Sequence, residues 1–162
     1  MTIKLDFNDV FEGGIKDGDY EVVITKADED ATPSGSEHVD MRLTIRNDVQ
    51  QAHQNQIIFH KLWKAKATGT YNMRMFNTLG QAAGLESGKT YQNFEELLKD
   101  FLGKPIKVRV KNEQSEYNGQ VYENLNVKMT RATDFPNVQH QFKEGFNTDA
   151  SSVDLPPENL PF

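Results

Sequence analysis

At 162 residues the chain has the length of one domain, enough to bury about two thirds of its unfolded surface without cross-links. It contains no cysteine, which excludes a disulfide scaffold, a thiol nucleophile and a cysteine-ligated metal, and which accords with a reducing cytoplasm. The net charge of -6 argues at first against a polyanion partner, but residues 129–162 hold two basic against five acidic side chains, so the rest is near balance and has room for a local basic face. No apolar run approaches the roughly 18 residues of a membrane span, and MTIKLDFNDVFEGG lacks a basic segment followed by an apolar one, so no membrane partner is expected.

Residues 1–17 carry Leu5, Phe7, Val10, Phe11 and Ile15 without a clean period and read as an N-terminal arm packed on the body. From Gly18 the segment GDYEVVITKA alternates as a first strand, with Tyr20, Val22 and Ile24 on one face. Pro33-Ser34-Gly35 supplies turn chemistry, Pro presetting φ and Gly permitting φ > 0. The second strand, His38 to Arg46, alternates most cleanly: Val39, Met41, Leu43 and Ile45 inward, with Asp40, Arg42, Thr44 and Arg46 outward. After a polar connection, IIFHKLW (57–63) is a third strand, apolar on both parities. Two arrangements are open. With Ile58 and Leu62 inward, Phe59, Lys61 and Trp63 form an exposed aromatic-cation row; with Phe59 and Trp63 in the core, the strand is buried on both sides. Burial is the commoner fate of such a Phe, whereas Trp is seldom fully buried.

The period then lengthens to that of a helix. Met73, Phe76, Leu79 and Ala83 predict one from about Asn72 to Ala83, stopped by Gly84, and Phe94, Leu97, Leu98 and Phe101 predict a second from Asn93 to Leu102. Asn93 is a natural N-cap ahead of Glu95 and Glu96, and Gly103 and Pro105 end the helix. Next comes a β-hairpin, with Ile106, Val108 and Val110 alternating with Lys107, Arg109 and Lys111, turning at Asn118-Gly119 and resuming with Val121, Leu125, Val127 and Met129. Asn-Gly favours a two-residue type I′ turn. That turn sets Val110 opposite Val127, Val108 opposite Met129, Lys111 opposite Asn126 and Arg109 opposite Lys128. Since directly paired residues share a face, Ile106, Val108, Val110, Leu125, Val127 and Met129 form a core face. Lys107, Arg109, Lys111, Lys128, Asn126, Asn124 and Tyr122 form a basic one.

Strand, strand, strand, helix, strand, strand is the element order of the mainly β, five-stranded oligonucleotide-binding (OB) Greek-key barrel with a helical insertion between strands 3 and 4. Residues 18–132 are assigned to it, and residues 133–162, rich in Asn, Gln, Asp, Ser and Pro, to a flexible, disordered acidic tail. Single-stranded nucleic acid is held by cations on phosphates, aromatic faces on bases and adaptable amides. The candidate contacts are Arg42, Arg46, Lys61, Lys107, Arg109, Lys111 and Lys128 for phosphates, and Trp63, Tyr122 and Tyr117 at the hairpin tip for bases. Three cations on one hairpin face are by themselves an ordinary solvated surface.

The segments GDYEVVITKADEDATPSG, MRLTIRNDV, FNTLGQAAGL and FLGKPIKVRVKNEQSEYNGQVYENLNV, with Leu62-Trp63, resemble a family of small bacteriophage proteins first catalogued as a domain of unknown function. The resemblance spans about Gly13 to Met129. The Thr-x-Ser-Gly turn (32–35) and Gly103-Lys104-Pro105 are its most specific parts. Members are regarded as phage single-stranded DNA-binding proteins. The resemblance therefore implies an OB fold and a protein that coats single-stranded DNA in replication or recombination, in the cytoplasm of the infected bacterial host. The segment DLPPENLPF (154–162) is similar, separately, to the acidic tip of bacterial single-stranded DNA-binding proteins, although Pro156, Pro157 and Asn159 dilute its acidic run. That similarity implies recruitment of phage or host replication or recombination proteins through Asp154, Glu158, Leu160, Pro161 and Phe162.

No enzyme is read from the chain. His38, His53, His60 and His140 are scattered, without His-x-x-x-His or Glu-x-x-His spacing for a metal, and no Gly-x-Ser-x-Gly or phosphate loop occurs. Neither cofactor nor resident metal is expected, although dispersed acidic residues can assemble a divalent site on folding. The alternatives are a strand-annealing or recombination-mediator protein and a protein-interaction adaptor on the same fold. An exposed barrel edge offers a route to a homo-oligomer.

Overall fold

Five antiparallel strands form one sheet in the order β3-β2-β1-β4-β5 in the computed structural model, which describes residues 2–5 and 14–142. They are β1 (Gly18–Ala31), β2 (Glu37–Ile45), β3 (Ile57–Trp63), β4 (Pro105–Tyr117) and β5 (Gln120–Arg131), with α1 (Met73–Ala83) and α2 (Phe94–Phe101) between β3 and β4. Among the described residues no ladder joins β3 to β5. The sheet is therefore open along that seam, where a partly closed barrel was expected, and two strand edges face each other across it.

The inward positions follow the alternation. Val22, Ile24, Val39, Met41, Leu43, Ile45, Ile58, Ile106, Val108 and Val110 are buried in one cluster, which Phe76, Leu79, Leu98 and Phe101 of the helices cover. A bulge in β1 between Ile24 and Lys26 keeps both Ile24, opposite Leu43, and Ala27, opposite Met41, on the core face. The second helix starts on the predicted cap, Asn93, and the first on Asn72, the predicted start, which also serves as a cap. The Asn72 side chain accepts from the Arg74 N–H, and that of Asn93 from the Glu96 N–H. Gly84, at φ 78°, closes α1 in the left-handed region.

The hairpin turns where expected, with Asn118 at φ 52° and Gly119 at φ 78°, both positive as a type I′ turn requires. Val110 faces Val127, and Lys111 faces Asn126. Beyond them a second bulge intrudes. Val108 pairs with Thr130 and Arg109 with Met129, instead of with Met129 and Lys128. One extra residue, Lys128, shifts the register and moves Met129 off the core face, where it stands exposed.

The chain after β5 also departs from expectation. Instead of leaving the body at residue 133, it lies across β1 and the end of β2 as far as residue 142. Thr133 Oγ1 and the Asp134 N–H donate to the Glu21 carboxylate, the Gln139 N–H to Asp48 (2.8 Å), and the Asn47 N–H to His140 Nδ1 (3.0 Å). Arg46 is its anchor, and is 0% exposed. Its guanidinium forks onto Asp48 (2.9 and 2.6 Å) and donates to the carbonyls of Phe135 (2.7 Å) and Asn137 (3.4 Å). At the other end Ile15 enters the core, and Asn112 ties down Ile15 O and Asp17, whereas Ile3 and Leu5 are exposed and not packed. The tip at 154–162, the remaining tail after residue 142, and Phe7, Val10 and Phe11 lie outside the described residues.

Candidate nucleic-acid interface

β3 decides the site. Its double apolar parity resolves with Ile58 and Leu62 in the core and Phe59, Lys61 and Trp63 outward, Phe59 55% and Trp63 43% exposed. The ladder sets each beside a β2 residue: Phe59 by Arg42, Lys61 by Asp40, Trp63 by His38. Cross-strand neighbours on one face touch. The Arg42 guanidinium stands 5.2 Å from the Phe59 ring centre, Lys61 Nζ stands 6.0 Å from that of Trp63, and the His38 ring lies 4.4 Å from that of Trp63. Below this row Asp40 accepts from Lys26 (3.2 Å) and Arg42 (3.4 Å) through one oxygen, Oδ2.

Two depressions flank Trp63. One, of about 770 Å³, is the open seam itself, where Phe59, Lys61 and Trp63 face Asn124, Leu125 and Asn126 of β5. The other, of about 510 Å³, lies between the Ser34–Glu37 turn and Lys64 and Lys66, which follow β3. Trp63 lines both. An aromatic row with cations beside it and amides across a groove is the combination that a single strand of bases and phosphates requires.

Of the sequence-predicted contacts, the fold brings Arg42, Lys61 and Trp63 together. The hairpin cations are on the outer face as expected, but acids answer them: Lys107 meets Asp134 (2.8 Å), Arg109 and Arg131 share Asp19 (2.9 and 3.2 Å), and Lys128 meets Glu113 (3.0 Å). Hydrogen bonding to Arg109 holds the Asp19 carboxyl below its ordinary range, and bonds from Asn126 and Lys128 do the same for Glu113. Lys111 is exposed beside Asp17. Tyr117 and Tyr122 are exposed near the hairpin tip, the Tyr122 hydroxyl donating to Gln120 (2.7 Å). Arg46 is removed from the interface by its burial under the C-terminal segment. Sequence reasoning left Phe59 open between core and surface, and missed Lys64, Lys66 and the Ser34–Gly35 turn as its surroundings. The signal for Phe59 was present in the Ile58/Leu62 phase, but a strand apolar on both parities does not reveal which one.

A third cavity, about 450 Å³, lies at the far end of the seam under α1, with His60, Leu62 and Val127 among its walls and Arg74 and Lys128 beside them. Burial pushes the His60 imidazole down to about 4. Among the described residues no group of three or more His, Asp or Glu is placed to hold a metal ion.

No curated protein matches the chain. Among solved structures the chain is similar to one from "Yeast RPA bound to ssDNA", at 9% identity and a TM-score of 0.37, over 78% of this chain and 83% of that one. At that level nothing is carried over from that complex. Residues 3–139 match the model of the family described as "Protein of unknown function (DUF669)", and the chain belongs to that family.

Proposed function

We propose that this protein is a non-catalytic single-stranded DNA-binding protein on an OB-type sheet, open at the β3/β5 seam. The observation that carries the reading is the exposed Phe59–Lys61–Trp63 row, with Arg42 beside it and Asn124 and Asn126 across the groove. Two large aromatic residues on one strand face leave about half of their surface to solvent, outside the core cluster. Bases stack on any aromatic face, so binding is largely sequence-tolerant. The finer reading is a bacteriophage protein of the infected host's cytoplasm that coats DNA in replication or recombination and recruits partner proteins through Asp154–Phe162. It is supported by the resemblance of the sequence segments. Strand annealing belongs to the same reading and is separated by an annealing assay.

The test is an anisotropy titration of labelled oligo-dT at several salt concentrations, with the full chain and with a chain ending at Thr148. If three or four of Arg42, Lys61, Lys64, Lys66 and Lys26 meet phosphates, log K falls against log salt with a slope of about -2 to -3. Trp63 is the sole tryptophan, so its own fluorescence follows the same titration. Tighter binding on truncation assigns the acidic tail a competing role; unchanged binding confines it to recruitment. No binding by either form sinks the proposal. The protein-interaction adaptor then leads, a reading favoured by the ion-paired hairpin face.

A further inference from the structure

Among the described residues three buried side-chain atoms have no hydrogen-bond partner, and all three lie on one strand face: His38 Nδ1, Asp40 Oδ1 and Arg42 Nε. These are successive outward positions of β2, each directly beside Trp63, Lys61 and Phe59 in turn. Asp40 is 7% and His38 3% exposed. A buried polar group left unpaired costs about 1–3 kcal/mol, so native proteins seldom keep one without a use. Here three coincide with the aromatic row. Trp63, whose ring lies 4.4 Å from that of His38, and Phe59, beside Arg42, are exposed side chains of an edge strand and not part of the core cluster.

We infer that this row reads the edge of a nucleobase, and that it selects a base bearing an exocyclic amino group beside a ring acceptor, such as cytosine. The inference rests on the single-stranded DNA reading above and deepens it. The Asp40 carboxylate offers acceptor oxygens, and its Oδ2 is already engaged by Lys26 and Arg42. Its Oδ1 therefore needs an N–H donor. Arg42 Nε only donates and needs an acceptor. Cytosine offers both side by side, the N4 amino group and N3. Uracil and thymine also set a donor beside an acceptor, N3–H and O4, but that N–H lies between two carbonyl oxygens, so giving it to Asp40 sets the second one, O2, against the carboxylate. Carboxylate acceptance from cytosine N4 is a recurrent base contact. Phe59 and Trp63 hold bases by their faces, and the β2 row meets an edge.

The experiment compares oligo-dC with oligo-dU of equal length, which differ at the amino group and the adjacent ring nitrogen but not by a methyl. Both are titrated at pH 8 against the full chain and its Asp40→Asn variant, with circular dichroism to confirm folding. The expected result is that wild type binds oligo-dC roughly tenfold more tightly than oligo-dU, and that Asp40→Asn, whose amide both donates and accepts, brings the ratio towards one. A wild-type ratio within about twofold overturns the inference and leaves sequence-neutral binding standing; that comparison needs no variant. A preference that Asp40→Asn leaves intact also overturns it. Failure to bind either oligonucleotide overturns the single-stranded DNA reading itself.

Discussion

Arg46 was read as a phosphate contact and is found as a clamp, so replacing it separates the two roles. In Arg46→Met the apolar volume is nearly kept, while Asp48 loses its guanidinium partner and the carbonyls of Phe135 and Asn137 lose their donor. Removing one member of a buried ion pair costs about 3–5 kcal/mol, because the other is left uncompensated. Asp48 keeps the Gln139 N–H and some solvent, so the lower end, about 3 kcal/mol, is expected. For a domain of this size that lowers the midpoint by about 10 °C. The Arg46 bond also holds the Asp48 carboxyl near 2, below its ordinary 3.8. Its contribution is thus present above pH 3.8 and lost as pH falls towards 2; the wild-type advantage over Arg46→Met shrinks in that window. Urea denaturation of wild type, Arg46→Met, Asp48→Asn and the double variant measures the pair, with the double variant expected to be more stable than the sum of the singles implies. Limited proteolysis should cut residues 133–142 first in the single variant. The salt slope of oligo-dT binding should not change. A loss below about 1 kcal/mol, or a reduced salt slope with unchanged stability, would refute the clamp and restore Arg46 to the interface.

Trp63→Ala and Phe59→Ala should each weaken oligo-dT binding by about 1–3 kcal/mol in anisotropy titrations with little change in melting temperature, since neither side chain is core; Tyr122→Ala tests the hairpin tip in the same assay, and unchanged affinity removes that residue from the site. Arg42→Ala should reduce binding more than Arg109→Ala, because Arg42 lies beside the Phe59–Trp63 row whereas Arg109 lies with Asp19 on the hairpin face, and the reverse ranking moves the interface to the hairpin. Breaking the exposed Lys128–Glu113 pair should leave urea denaturation almost unchanged. Burial holds His60 neutral down to about 4 against an ordinary 6.5, so the unfolded chain binds more protons between those values. The stability that this neutral imidazole contributes is whole above pH 6.5, falls as pH drops through the window and levels off below about 4. His60→Gln should flatten that part of the pH–stability curve, and a slope indifferent to the substitution assigns it elsewhere.

What the sequence determined by itself was local. Alternation placed the strands and their inward residues, because a side-chain period of two can bury only one parity against a one-sided core. Asn93 marked the start of the second helix, because a short acceptor satisfies N–H groups that the first turn leaves open, and the apolar spacing placed the first from about Asn72. Asn118-Gly119 placed the turn and the first pairs of the hairpin, because few residues tolerate two positive φ angles in succession. Tertiary structure decided the rest. The bulge at Lys128 left no composition signal, since one inserted residue changes register without changing which residues are apolar, and so Met129 was misassigned. Phe59 and Trp63 were undecidable from IIFHKLW, because both parities are apolar and only the packing of Ile58 and Leu62 against the other strands selects one. Arg46 and Arg42 look alike in the alternation of β2. One is buried because carbonyls about ninety residues later come to lie over it, and the other, beside Asp40 and Phe59, keeps part of its side chain exposed. Charge placement was likewise nonlocal: whether a lysine is available to a phosphate depends on which acid the fold brings to it, and that pairing is set by strand order.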